Sequence, residues 1–91
     1  MGIKNKKMRK IKTFDDLKFA PHQVVPGAVR AFMKFPQGQW ISVVGGGKSS
    51  LYGDGKTTFE VLSSKNEEEP FGYQTKDEVS TIMADLQTPV I

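Results

Sequence analysis

Cysteine is absent from the 91 residues, and histidine occurs once, as His22. Without thiols the chain forms no disulfide, no thiolate nucleophile and no zinc knuckle, a composition that fits a reducing compartment. His22 stands between Pro21 and Gln23 with no carboxylate nearby in sequence. It lacks the positioned partner that a general base or metal ligand needs. Long apolar runs are missing as well. The longest, such as residues 31–33, are far short of the roughly 20 residues that cross a bilayer. The basic start leads into Thr13-Phe14-Asp15-Asp16 and not into an apolar signal segment. No membrane contact is expected, and the expected location is the cytoplasm. None of the serines sits in a G-x-S-x-G elbow. Glu67, Glu68 and Glu69 are consecutive, so they cannot all aim at one cation without a tight fold and read as a solvated acidic run. The residues thus supply no catalytic, cofactor or metal chemistry, and the expectation is a protein that is not an enzyme.

Acidic residues are missing from the first twelve positions, where Lys4, Lys6, Lys7, Arg9, Lys10 and Lys12 place six of the thirteen basic residues. The formal net charge of +3 therefore belongs to residues 1–12, a basic flexible tail, while residues 13–91 carry a net −3. A body of that sign repels a polyanion unless its positive charges cluster. The tail itself could neutralise several phosphates and make nucleic-acid binding fall steeply with salt. It lacks the aromatic residues that stack on unpaired bases.

Ninety-one residues allow one domain with one modest core. Residues 13–91 are read as a single α+β domain: a small antiparallel three- to four-stranded β-meander with one C-terminal α-helix packed on one face. Thr13 can cap a short turn through Phe14, Asp15, Asp16 and Leu17. Alternation predicts strands over 28–35, 39–44 and 57–62, the second of them central, with residues 22–26 as an added strand. Phe35-Pro36-Gln37-Gly38-Gln39-Trp40 is a tight-turn signal, since proline presets a negative φ and Gly38 accepts the left-handed conformation. Val79, Ile82, Met83 and Leu86 fall at i, i+3, i+4 and i+7, which predicts a core-facing helix from about 76 to 87. Thr75 and Glu78 form a capping box at its start, and Pro89 follows its end.

The segment 45–56 has the composition of a flexible glycine-rich loop. Its Gly46, Gly47, Lys48 and Ser49 resemble part of a phosphate cradle, because glycines expose successive amides beside a cation and a hydroxyl. A P-loop would need glycine at position 43, where Val43 stands, and a helix directly after Lys48 and Ser49. A nucleotide or phosphate ligand is the weakest of the three functional readings. If strand 28–35 or strand 57–62 leaves an unpaired edge, strand addition could build a homodimer or capture a partner's extended segment.

The strings Phe35-Pro36-Gln37-Gly38-Gln39-Trp40-Ile41-Ser42-Val43-Val44, Leu51-Tyr52-Gly53-Asp54-Gly55 and Phe59-Glu60-Val61-Leu62 resemble a family of short uncharacterised tailed-bacteriophage proteins. The resemblance resumes at Gly72-Tyr73, Thr75, Asp77-Glu78-Val79 and Ile82-Met83, and spans about residues 12–87. It implies origin more than activity, and it assigns no functional residue. It implies a phage accessory protein in the host cytoplasm that binds a host macromolecule, with a host protein as the expected partner, in host takeover or defence antagonism. The alternatives are nucleic-acid binding by the tail and ligand binding by loop 45–56.

Overall fold

Two consecutive left-handed residues, Gln37 (φ 71°) and Gly38 (φ 84°), reverse the chain in the Phe35–Trp40 turn, and the Phe35 amide closes it on the Gln39 carbonyl at 2.7 Å. A computed structural model describes residues 11–48 and 51–88. The turn joins β2 (Ala28–Lys34) to β3 (Trp40–Gly46) in antiparallel register, with Ala31 opposite Val43 and Met33 opposite Ile41. β3 continues antiparallel to β4 (Thr58–Ser63), and β4 to β5 (Phe71–Thr75). A two-residue β1 (Ala20–Pro21) pairs with β2, so the sheet order is β1-β2-β3-β4-β5.

The fold class holds, but the sheet has five strands where three or four were expected. The fourth expected position was also displaced: β1 is Ala20–Pro21, and 22–27 form the turn after it, closed by the His22 amide on the Ala28 carbonyl at 2.8 Å. Strands expected over 28–35, 39–44 and 57–62 run Ala28–Lys34, Trp40–Gly46 and Thr58–Ser63. The third of these is flanked on both sides, whereas the first is paired on its outer side only at Val29 and Arg30, and among the described residues no strand covers the outer side of Ala31–Lys34. The outermost strands are β1 and β5, and β1 is short and contains a proline, which blunts it for strand addition. β3 is central, as expected.

α1 (Lys76–Gln87) matches its expected bounds. Glu78 N donates to Thr75 Oγ1 at 3.2 Å, and Thr75 N donates to Glu78 Oε1 at 2.8 Å, so the capping box closes in both directions. At the other end the Thr88 amide donates to the Asp85 carbonyl; Pro89 lies outside the described residues. Val79, Met83 and Leu86 are buried against Ala31, Ile41, Val43, Phe59 and Val61, while Ile82 is half-buried at the margin. Each large apolar side chain buried this way stabilises by roughly 1.5–3 kcal/mol.

The segment before β1 completes the cover. A 3-10 turn (Phe14–Asp16) is held by Thr13 N donating to Asp16 Oδ2 at 2.8 Å and by Asp16 N donating to the Thr13 carbonyl. It presses Phe14, Leu17 and Phe19 onto the sheet. Phe14, Phe19 and Phe59 form a ring cluster with centroids 5.0–5.5 Å apart. Lys12 is fastened to the far end of α1, its amide donating to Gln87 Oε1 and its carbonyl accepting from Gln87 Nε2, both at 2.8 Å. The helix and this segment therefore share one side of the sheet.

Candidate functional site

Among the described residues, no helix lies over the other side of the sheet. Antiparallel partners share a face, so Arg30 and Val44, Phe32 and Ser42, Lys34 and Trp40 all belong to this open side, with Leu62 opposite Ser42 and Glu60 opposite Val44. A sheet with one dry and one wet face normally alternates apolar with polar residues. Here the wet face is aromatic. Phe32 and Trp40 lie stacked at 5.9 Å between centroids and 22° between planes, with Phe32 47% exposed and Trp40 half-buried. The Arg30 guanidinium sits 5.4 Å from the Phe32 centroid, and its Nε donates to Ser42 Oγ at 3.3 Å. Arg30, Phe32 and Trp40 thus make a ladder of three planar groups.

A second aromatic pair lies at the β5 end. The β4–β5 register slips between Phe59 and Val61, which sets Gly72 and Tyr73 together opposite Glu60 as a bulge, and Tyr73 takes φ 56°. Its amide donates to the Tyr52 carbonyl at 2.8 Å, the Tyr52 amide donates to Glu60 Oε1 at 3.0 Å, and the two rings meet at 5.9 Å. Tyr52 and Tyr73 are 60% and 64% exposed.

The charges are sorted along the sheet. From residue 17 to residue 53 there is no Asp or Glu, and Lys18, Arg30, Lys34 and Lys48 give +4. From 54 to 88 three basic residues meet eight acidic ones. Because the strands stand in sequence order, this becomes a spatial division, with β1–β3 positive and β4, β5 and α1 negative. The body's net −3 therefore conceals a half with a net positive charge. The acid-free run was present in the sequence, but summing charge over the whole body hid it.

His22 stands beside the ladder. Its Nδ1 accepts from the Val24 and Val25 amides at 3.1 and 3.0 Å, so in the neutral ring Nε2 carries the hydrogen and is a donor. Ala20, Pro21, His22, Gln23, Val24, Arg30 and Phe32 line a cleft of about 410 Å³. On the covered side, Phe71, Ile82 and Leu86 line a smaller one of about 280 Å³ with Ser63, Asn66 and Asp85.

Of the tail cations, only Lys12 is among the described residues; Lys4, Lys6, Lys7, Arg9 and Lys10 lie outside them, as does Ser49. Lys12 marks where the tail begins, at the end of α1 and across the sheet from the ladder. Gly46 ends β3, and its amide donates to the Gly53 carbonyl at 3.0 Å rather than facing an anion. Gly47 and Lys48 border an open cleft with Val25, Pro26 and Gly27. The described part of segment 45–56 is tightly tied. Asp54 Oδ1 accepts from the amides of Lys56, Thr57 and Thr58 at 2.7–2.9 Å, and Oδ2 accepts from Thr57 Oγ1 at 2.8 Å. Those bonds, the Thr58 amide foremost, hold the exposed Asp54 carboxyl far below the usual carboxylate range. Glu67, Glu68 and Glu69 are all exposed. Among the described residues, no cluster of His, Asp or Glu could hold a metal ion, and no helix is long and apolar enough to cross a membrane. No family model, curated protein or solved structure matches the chain.

Proposed function

We propose that this chain is a non-enzymatic binding protein that works by laying the open face of its sheet against a host macromolecule. The observation that carries the reading is the concentration of Trp40, both tyrosines, Phe32 and Arg30 on the face that, among the described residues, neither α1 nor the segment before β1 covers. Tryptophan, tyrosine and arginine are the residues that dominate binding energy in macromolecular interfaces, because each brings a large contact area and a polar handle. The resemblance to short tailed-phage proteins supports the setting, an accessory protein in the host cytoplasm that blocks by occupancy and needs no reaction of its own.

The test is retention of host material by the intact chain, compared with Phe32→Ala and Tyr52→Ala on the open face and Ala84→Gln on the exposed side of α1. Loss of a retained partner in at least one of the first two variants, with Ala84→Gln unaffected, is the expected result. Equal retention by all four proteins would overturn the assignment of the face.

A further inference from the structure

The two halves of the open face differ in chemistry, and the β1–β3 half has a specific complement. It offers a planar ladder, Arg30 over Phe32 and Phe32 against Trp40, with Lys34 directly opposite Trp40 in register. It belongs to a stretch without a single carboxylate. The cleft beside Arg30 and Phe32, about 410 Å³ and in the range of small-molecule sites, is lined by His22 as well.

We infer that this half binds single-stranded nucleic acid. The inference rests on the open face being the binding surface and names the class of its partner. A base joins the ladder at its Trp40 end or replaces the guanidinium over Phe32. The neighbouring phosphates then lie against Arg30 and Lys34, and His22 faces the strand from the cleft. Charge complementarity selects a polyanion, and the rings require unpaired bases, since a duplex hides its base faces and a broad sheet face does not enter a groove as a helix does. Every base has a π-face, so binding tolerates sequence. The site is separate from the tail, whose root at Lys12 is fastened to the end of α1 on the opposite side of the sheet.

Trp40 is the chain's one tryptophan, so its emission reports directly on the ladder. The full chain is titrated at low salt with thymidine and uridine oligonucleotides of about twelve bases, within the range of single-strand site sizes. The controls are the matching duplex and dextran sulfate, a polyanion without bases. Quenching by the single strands is expected, with far weaker binding of the duplex and of dextran sulfate. Phe32→Ala is expected to weaken binding roughly tenfold or more, and Phe32→Leu, which keeps apolar bulk at the position, weakens it as well. Arg30→Gln with Lys34→Gln makes the salt slope shallower by about 1.4, at about 0.7 per cation. Replacing Lys4, Lys6, Lys7, Arg9 and Lys10 by Gln leaves the quenching in place.

Equal affinity for dextran sulfate, or binding that vanishes with the tail substitutions but ignores Phe32→Leu, overturns the inference. So does an absence of binding. If oligonucleotides fail while a host protein is retained through Phe32, the inference falls and the open-face reading stands. If nothing depends on Phe32 or Tyr52, both fall.

Discussion

One added methyl group at Gly45 should unseat the end of the central strand. Gly45 lies in β3 with its Cα directly against the returning loop. A Cβ built there would stand 2.6 Å from Gly55 Cα and 2.7 Å from Gly55 N, about 0.8 Å inside ordinary van der Waals contact at 3.4 Å. Both obstacles are backbone, so no rotamer change relieves them. Separating the two segments by that distance strains the Gly46 N to Gly53 O bond at 3.0 Å and the Gly55 N to Thr58 O bond at 2.9 Å. Overpacking of this kind costs about 1–3 kcal/mol, and a weakened hydrogen bond adds about 0.5–1.5. Gly45→Ala should therefore lose about 2–4 kcal/mol, which for a domain of this size lowers the thermal midpoint by roughly 10–25 °C. Gly38→Ala is the reference: φ is +84°, but nothing lies within 4 Å of the new methyl, so only the left-handed strain of about 1–2 kcal/mol applies. Urea unfolding followed by circular dichroism, with matched m-values, measures both. If Gly45→Ala unfolds within about 0.5 kcal/mol of the parent chain, or later than Gly38→Ala, the close-approach argument is wrong.

Met83, fully buried under α1, should cost about 2–5 kcal/mol on replacement by Ala, and half-buried Ile82 distinctly less; chemical denaturation ranks the two. Thr75→Ala removes the hydroxyl that accepts from Glu78 N and should cost about 1 kcal/mol, read from the urea midpoint at unchanged m. Asp54→Asn should destabilise the chain at neutral pH. Because the native Asp54 carboxyl titrates below its unfolded value of 3.8, its contribution is complete above that pH and declines as pH falls further. The stability gap between parent and variant should therefore be flat above about pH 5 and narrow in acid, and a gap that widens in acid would reverse the sign assigned here.

The helix was readable because three independent signals agreed on it: the stripe Val79, Ile82, Met83 and Leu86, the Thr75/Glu78 box, and Pro89 beyond. The Phe35–Trp40 turn was readable for a similar reason, with proline and glycine fixed at the positions the reversal needs. β5 was not. Its alternation is broken by the Gly72–Tyr73 bulge, and Thr75 serves both as its last residue and as the cap of α1, so strand and helix overlap in the one place where a boundary would be sought. β1 has two residues, one of them proline, and carries no pattern at all. The glycines at 45, 53 and 55 read as slack but serve close backbone approach. That purpose depends on contacts between distant residues and leaves no local signature. The aromatic ladder was half legible. Phe32 and Trp40 were visible as strand residues, but alternation alone does not say which face of a strand the helix will cover.

The division of the rings between the two faces joins the fold to the proposed function. Phe14, Phe19, Phe35 and Phe59, which have no polar atom on the ring, go to the covered side. Trp40, Tyr52 and Tyr73, which carry a donor at the rim, go to the open side with Phe32. A small chain gains stability by burying aromatic area, and this one leaves five rings outside its core, these four and Phe71, which is 43% exposed at the margin of the covered side. The charges divide at right angles to the rings, along the strand order instead of across the sheet. The open face consequently has an aromatic surface throughout but a positive end at β1–β3 and a negative end at Glu60. A polyanion bound at the positive end meets repulsion as it extends toward β5, so the contact length on this face is limited to the first three strands, and the tyrosine pair is left for a different neighbour or for none.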